Sequence, residues 1–345
     1  MANEYGYEEY QFPEEHADAI IRTTSYHRKD FDLAVISFPD SEHQDIRTSI
    51  STSFPRPSST SLEPIGQLPQ ELLNNIFLSL DIQSLINCRQ VNLRLREAID
   101  FLPEYQAVST HGLDALCALL RTRLAHNVSL VDFYEALCTK KCSFCYRFAG
   151  YMSLPTWRRC CFICLKLRDT EFQMLTLDGL QKQFGLSEAE VSKFTSFVTL
   201  PGVYTTTHAV ERERLTIAPV EQAMRAYQEN QKALQETARS WFPKYPKFAF
   251  MATCVLPYYD KQNRTADYGI CCAGEQRAID NSNQRGMALK FAYMARDIVY
   301  PRDEFLEHFK ECREGQQLWE SSKEGTIEPP ELPQIAKDGG VFDRE

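Results

Sequence analysis

LPQELLNNIFLSLDIQSLINCRQVNLRLREAIDFLPEYQAV, residues 68–108, lays out three short helices whose apolar faces exceed what one small core can cover. Pro69 opens the first helix. Along it Leu72, Leu73, Ile76, Phe77 and Leu80 recur at steps of one, three and four residues, which places them on one face. Asp81 caps the second helix, whose stripe is Ile82, Leu85, Cys88 and Val91, and Asn92 caps a third carrying Leu95, Ala98, Ile99 and Leu102. A unit of roughly 40 residues buries too little surface to be secure alone. The run reads as a segment built to bind something.

The remaining composition narrows the setting. At 345 residues the chain has room for roughly two domains, or one domain with appended segments. A net charge of −9 gives no electrostatic footprint for nucleic acid, and no Lys/Arg cluster runs against that average. No stretch approaches the ~20 apolar residues of a membrane span. The acidic, Tyr-rich start MANEYGYEEYQFPEEH lacks the basic and apolar regions of a signal peptide, so an intracellular protein is expected. Reducing compartments do not favour disulfide frameworks, so the 12 cysteines call for metal ligation or burial.

Along the chain, residues 1–64 carry acidic, aromatic and then Ser/Thr/Pro-rich sequence without a sustained period, and read as a disordered tail. After the three-helix unit (65–108), a helical linker is expected over 109–141, with Leu113, Leu116, Cys117, Leu120 and Leu124 on one face and Ser129 with Asp132 capping a short helix. A cysteine segment follows (142–164). A mostly helical C-terminal region (165–320) then contains a capping box at Ser187 and Glu190, a long helix from Pro219 to about Trp241, and a β-hairpin near 247–273 whose strands are FAFMATCVLPYY and ADYGICCAG. Closing helices around MALKFAYMARDIVY and RDEFLEHFKECREGQQLW precede a polar tail, 321–345. The expected class is mainly α with a small β component.

Cys142, Cys145, Cys161 and Cys164 form C-x2-C-x15-C-x2-C, a strong zinc signal, because each pair turns two sulfurs toward one point and two pairs complete a tetrahedron. The intervening YRFAGYMSLPTWRRC can span the gap as two short strands. Cys160 offers an alternative register, and Cys161 is favoured because it repeats the first pair's spacing. Four thiolates leave no open coordination position, so the zinc is expected to be structural. A weaker constellation comprises Cys272, Glu275, His308 and Cys312, beside Cys271. His308 and Cys312, spaced H-x3-C, share a helix turn, yet buried cysteines and a helix-surface histidine explain these residues more simply.

Leu68-Pro69, Glu71-Leu72-Leu73, Ile76-Phe77, Leu80, Leu85, Cys88-Arg89, Val91-Asn92 and Leu95 together resemble an F-box. The order of features, ending in CSFCYRFAGYMSLPTWRRCCFICL, is similar to filamentous-fungal F-box proteins with a cysteine-rich segment, to about Trp319. The resemblance implies a substrate-receptor subunit of a cullin-RING ubiquitin ligase. Its contact residues for a Skp-type adaptor map onto Leu68, Pro69, Leu72, Leu73, Ile76, Phe77 and Leu80, with Leu85 and Val91 behind. It also implies a C-x2-C at 272–275 paired with the H-x3-C helix, where this chain has Glu275.

No Gly-rich phosphate loop, G-x-S-x-G elbow or H-E-x-x-H occurs, so a non-catalytic chain is expected. The competing reading is a zinc-stabilised interaction protein acting outside any ligase. Exposure of Leu72, Ile76 and Phe77 discriminates, because an adaptor face lies open in the free chain and a core face does not. Residues 109–320 lack leucine-rich or propeller periods, so the sequence leaves the protein substrate unidentified.

Overall fold

The structure is a computed structural model that describes residues 10–38, 48–50, 68–167, 172–204, 209–230, 247–280 and 286–327. Among the described residues helix occupies 56% and strand 15%, which bears out the mainly α class. Much of residues 10–38, expected as tail, is instead folded: helix α1 (Ala17–Thr24) runs into strand β1 (Ser25–Tyr26) and helix α2 (Lys29–Leu33). Phe31 on α2 is fully buried, with Phe162 stacked on it at 3.7 Å and the Arg28 guanidinium 4.0 Å from its ring centre. The composition of the first 64 residues concealed these anchors.

The three helices of the opening stretch are α3 (Gln70–Ser79), α4 (Ile82–Val91) and α5 (Leu93–Asp100). The Asp81 carboxylate accepts from the Ser84 N–H at 2.9 Å, and the Asn92 side chain accepts from the Leu95 N–H at 2.8 Å, so both caps form. Arg89 spans α4 and α5 by donating to Asp100 at 2.6 Å, a nearly buried pair. Residues 48–50 lie against this unit. The Ser49 carbonyl accepts from Arg89 and Arg96, each at 2.7 Å, and the Ile50 carbonyl accepts from the Tyr105 hydroxyl at 2.9 Å.

Helices α6 (Pro103–His111), α7 (Leu113–Thr122) and α8 (Leu130–Leu137) follow. The stretch expected as a linker is part of the main core: Leu116, Leu119, Leu130, Phe133 and Leu137 are fully buried in one cluster with Phe77, Leu85, Ile99, Met152 and Phe162. Ser129 and Asp132 form the expected capping box of α8. The Ile82 N–H donates to Val128 and the Leu130 N–H to Leu80, which ties the α3–α4 corner to the start of α8.

Strands β2 (Tyr151–Ser153) and β3 (Arg158–Cys160) are the two strands expected between the cysteine pairs, and they pair antiparallel. Helix α9 (Phe162–Leu167) closes that segment. Farther on, β4 (Met174–Thr176), α10 (Leu177–Phe184), α11 (Glu188–Val191), β5 (Phe197–Val198), β6 (Gly202–Tyr204), β7 (Ala209–Glu211), β8 (Thr216–Pro219) and α12 (Val220–Asn230) build a smaller lobe on the sheet β4-β8-β5, with β6 paired to β7. The Ser187–Glu190 capping box is present on α11. The expected long helix is described as far as Asn230, and its continuation to Trp241 lies outside the described residues.

The hairpin near 247–273 is narrower than expected. Lys247–Met251 is helix α13, and β9 (Thr253–Val255) joins β2 to make the sheet β3-β2-β9. Only β10 (Tyr258–Asp260) and β11 (Thr265–Asp267) form the hairpin, while β12 (Cys271–Cys272) pairs with β1. Helices α14 (Ala273–Asp280), α15 (Met287–Arg296), α16 (Arg302–Glu311) and α17 (Arg313–Ser321) complete the described fold. The polar tail expected from 321 begins with Ser322 buried, and 328–345 lie outside the described residues. Among the described residues no helix is long and apolar enough to cross a membrane.

Candidate metal centre and docking face

Cys142 and Cys145 sit in a tight loop beyond α8. The Cys142 N–H donates to the Arg147 carbonyl at 2.7 Å, the Tyr146 N–H donates to the Cys142 carbonyl at 3.1 Å, and Tyr146 takes φ +64° to close the turn. Cys161 follows β3 and Cys164 lies in the first turn of α9, where its N–H donates to the Cys161 sulfur at 3.4 Å. The four sulfurs lie within 4.8 Å of one another, with Cys145 and Cys161 3.5 Å apart. A tetrahedral zinc with Zn–S bonds of ~2.3 Å needs sulfurs ~3.8 Å apart, so the arrangement has the right size for the ion. Cys160 is outside the cluster. It is the last residue of β3 and pairs with Tyr151 in the sheet, and the four-sulfur group is made with Cys161.

Hydrogen bonding and burial shift the cluster's thiols in opposite directions. Hydrogen bonding from Cys161 pulls Cys142 down to about 4, helped by the N–H groups of Phe144 and Cys145. Cys161 is pushed up by the same partnership with Cys142, and burial pushes Cys164 up to about 12. A bound divalent ion would need these cysteines as thiolates, and its charge would offset the cost of burying them.

Arg159, which the sequence reading passed over, pins the strands beside the cluster. Its buried guanidinium donates to the carbonyls of Ala136 at 3.0 Å, Pro257 at 3.1 Å and Leu256 at 2.8 Å, and also to Ala149. Burial lowers its pKa to about 10. Nothing in RRCC marks this residue, because its acceptors are backbone groups far away in sequence.

The second constellation is drawn together by the fold. Cys272 and Cys312 sulfurs are 3.6 Å apart, and these two and His308 place their donor atoms within 4.8 Å of one another. Glu275 Oε1 stands 3.9 Å from His308 Nε2. His308 is not the surface residue expected: its side chain is 16% exposed and its ring stacks on Tyr300 at 4.6 Å. Burial pushes the Glu275 carboxyl upward.

On the three-helix unit, the expected contact set divides. Leu73, Phe77 and Leu85 are 4%, 3% and 0% exposed and belong to the chain's own core, and Leu80 packs partly against it. Leu68, Pro69, Leu72, Ile76 and Val91 face outward, with Leu72 at 50%, Ile76 at 43% and Val91 at 68%. Leu93 and Phe101, which the sequence reading did not assign, are exposed as well, at 41% and 73%. Phe101 and Leu102 border a cleft of about 360 Å³ between α3 and α5, together with Gln70, Asn74 and Arg94.

A family model for the F-box domain matches residues 65–106. The chain carries an F-box. The match contains α3–α5 and runs into α6, and the exposed Leu68, Leu72, Ile76 and Val91 lie within it. Comparison with curated proteins and with solved structures gives no match.

Proposed function

We propose that the chain is a substrate-receptor subunit of a Skp–cullin–F-box ubiquitin ligase. It docks on a Skp-type adaptor through Leu68, Pro69, Leu72, Ile76 and Val91, and holds a protein substrate with residues 109–320. The observation that carries the proposal is the open Leu72–Ile76 edge of α3 within a matched F-box: apolar side chains that a core role would cover are left facing solvent. Leu73, Phe77, Leu80 and Leu85 act from beneath, holding the helices that present this edge.

The division of labour needs no covalent chemistry from this chain. One core cluster joins F-box side chains to those of the cysteine segment and of 249–256, so the adaptor-facing helices and the remaining body share a rigid support. Tethering then raises the effective concentration of a held substrate near the transferring enzyme. Cys142, Cys145, Cys161 and Cys164 would hold a structural zinc ion. When bound, it supplies crosslinking of two loops rather than catalysis.

The test is co-purification of the full chain with a Skp-type adaptor, with zinc measured in the same samples. Wild type is expected to capture the adaptor stoichiometrically, and Leu68→Ala with Pro69→Ala to lose capture while keeping its zinc. Loss of zinc and solubility in that variant would assign the LP turn to the core instead. Zinc without adaptor capture in wild type would leave an interaction protein outside any ligase.

A further inference from the structure

Cys272, His308 and Cys312 bring their donor atoms within 4.8 Å of one another, and Glu275 stands beside them, its Oε1 3.9 Å from His308 Nε2. Cys272 immediately precedes α14 and Cys312 is the N-cap of α17, so both sulfurs stand at helix starts, where the dipole favours negative charge. The Glu275 N–H faces the Cys272 sulfur and the Gly315 N–H faces the Cys312 sulfur. These i to i+3 contacts repeat the one that Cys164 makes to Cys161 in the four-cysteine cluster. The two helix starts touch because neither carries a side chain at the crossing: a Cβ on Gly274 would collide with the Gly315 backbone.

His308 comes from the last turn of α16. Its Nδ1 is 3.3 Å from the Tyr300 hydroxyl, while Nε2 is buried and has no hydrogen-bond partner among the described residues. With its proton on Nδ1 and donated to the Tyr300 oxygen, the ring turns a lone pair on Nε2 toward the sulfurs, the arrangement in which an outer partner orients a metal-bound histidine. A disulfide between Cys272 and Cys312 would leave that nitrogen unsatisfied and the two N–H groups aimed at a neutral sulfur. A cation satisfies all of them. The Cys272–Cys312 separation of 3.6 Å lies near the ~3.8 Å that two zinc-bound sulfurs require.

We infer that Cys272, Cys312, His308 and Glu275 bind a second zinc ion in a closed tetrahedral site, with Glu275 as its fourth ligand and Tyr300 orienting His308. The ion is structural, because four protein ligands leave no position for a substrate. Its place in the fold gives it a purpose. The surrounding core is small, with Phe305 as its only buried side chain besides the two cysteines among the described residues. Yet β12 holds β1 here, and α1 packs between this core and Trp319. The zinc thus clasps the N-terminal segment to the C-terminal helices, independently of what the F-box binds.

Metal content of the full chain, purified with its adaptor or alone, tests this. Wild type is expected to carry two zinc equivalents and His308→Ala one, while Cys161→Ser with Cys164→Ser also falls to one and the combined variant to none. Glu275→Gln keeps the fold and is expected to lose one equivalent to a chelator concentration that wild type withstands. Glu275→Cys restores retention, and in the cobalt-loaded protein it adds one sulfur ligand's charge-transfer absorption. Unchanged zinc in both His308→Ala and Glu275→Gln would overturn the inference. So would a native mass two hydrogens short, lost on reduction and absent from Cys312→Ser, which would assign the pair to a disulfide.

Discussion

Helix α3 offers two faces of nearly equal hydrophobicity and opposite assignment, and truncating each should have a distinct effect. Phe77 is 3% exposed in the main core, and replacing it with alanine removes most of a buried ring. Such a change costs about 3–5 kcal/mol, enough to lower the melting temperature of a chain this size by on the order of 10 °C. Leu72 and Ile76 are 50% and 43% exposed. Burying a whole side chain of this kind is worth roughly 1.5–3 kcal/mol, so covering the exposed half contributes about 1 kcal/mol each. Leu72→Ala with Ile76→Ala should therefore weaken adaptor binding by about 2 kcal/mol, roughly 30-fold in Kd, with a cost of about 0.5 kcal/mol each to stability. Calorimetric titration with the adaptor and thermal melting of the same samples separate the two outcomes. A Leu72→Ala/Ile76→Ala variant that melts as early as Phe77→Ala, or binds the adaptor as tightly as wild type, would refute this division of the helix.

Other perturbations bear on the remaining elements. Cys145→Ser with Cys164→Ser should release zinc and melt the 142–167 segment, since metal binding in small zinc units is worth on the order of 10 kcal/mol of folding; metal analysis with thermal melting checks it. Phe31→Ala should cost about 3–5 kcal/mol, because its ring is fully buried against Phe162, and an unchanged melt would restore the N-terminal segment to the status of a tail. Hydrogen bonding to Asp32, 2.6 Å away, raises the pKa of His27. Its contribution is therefore full below the unfolded value of about 6.5 and is lost as pH rises through the higher folded value. The melting difference between wild type and Asp32→Asn should shrink from pH 5.5 to pH 8.5, and an effect that grows with pH would contradict the assignment.

The parts of the fold that could be read in advance are those written in neighbouring residues. The caps at Asp81, Asn92, Ser129 and Ser187 each use a side chain and an N–H three residues away, and the C-x2-C pairs likewise carry their geometry in their spacing. The split of α3 could not be read. Leu72 and Leu73 are adjacent, so the apolar stripe is wide, and only the packing of α8 and its neighbours decides which half is covered. The N-terminal anchors were hidden for a similar reason, since β1 (Ser25–Tyr26) finds its partner in β12 (Cys271–Cys272), far along the chain. His308 and Cys312 share a helix turn, but their meeting with Cys272 depends on the approach of Gly274 to Gly315, which no local pattern records.

Assembly of the full chain with a Skp-type adaptor and its cullin, followed by size-exclusion chromatography with light scattering, tests the receptor role most directly. The expected result is a single complex containing one copy of each, dispersed by Leu72→Ala with Ile76→Ala into the free chain and the adaptor–cullin pair. A well-folded wild-type chain that elutes apart from the adaptor–cullin pair would contradict it.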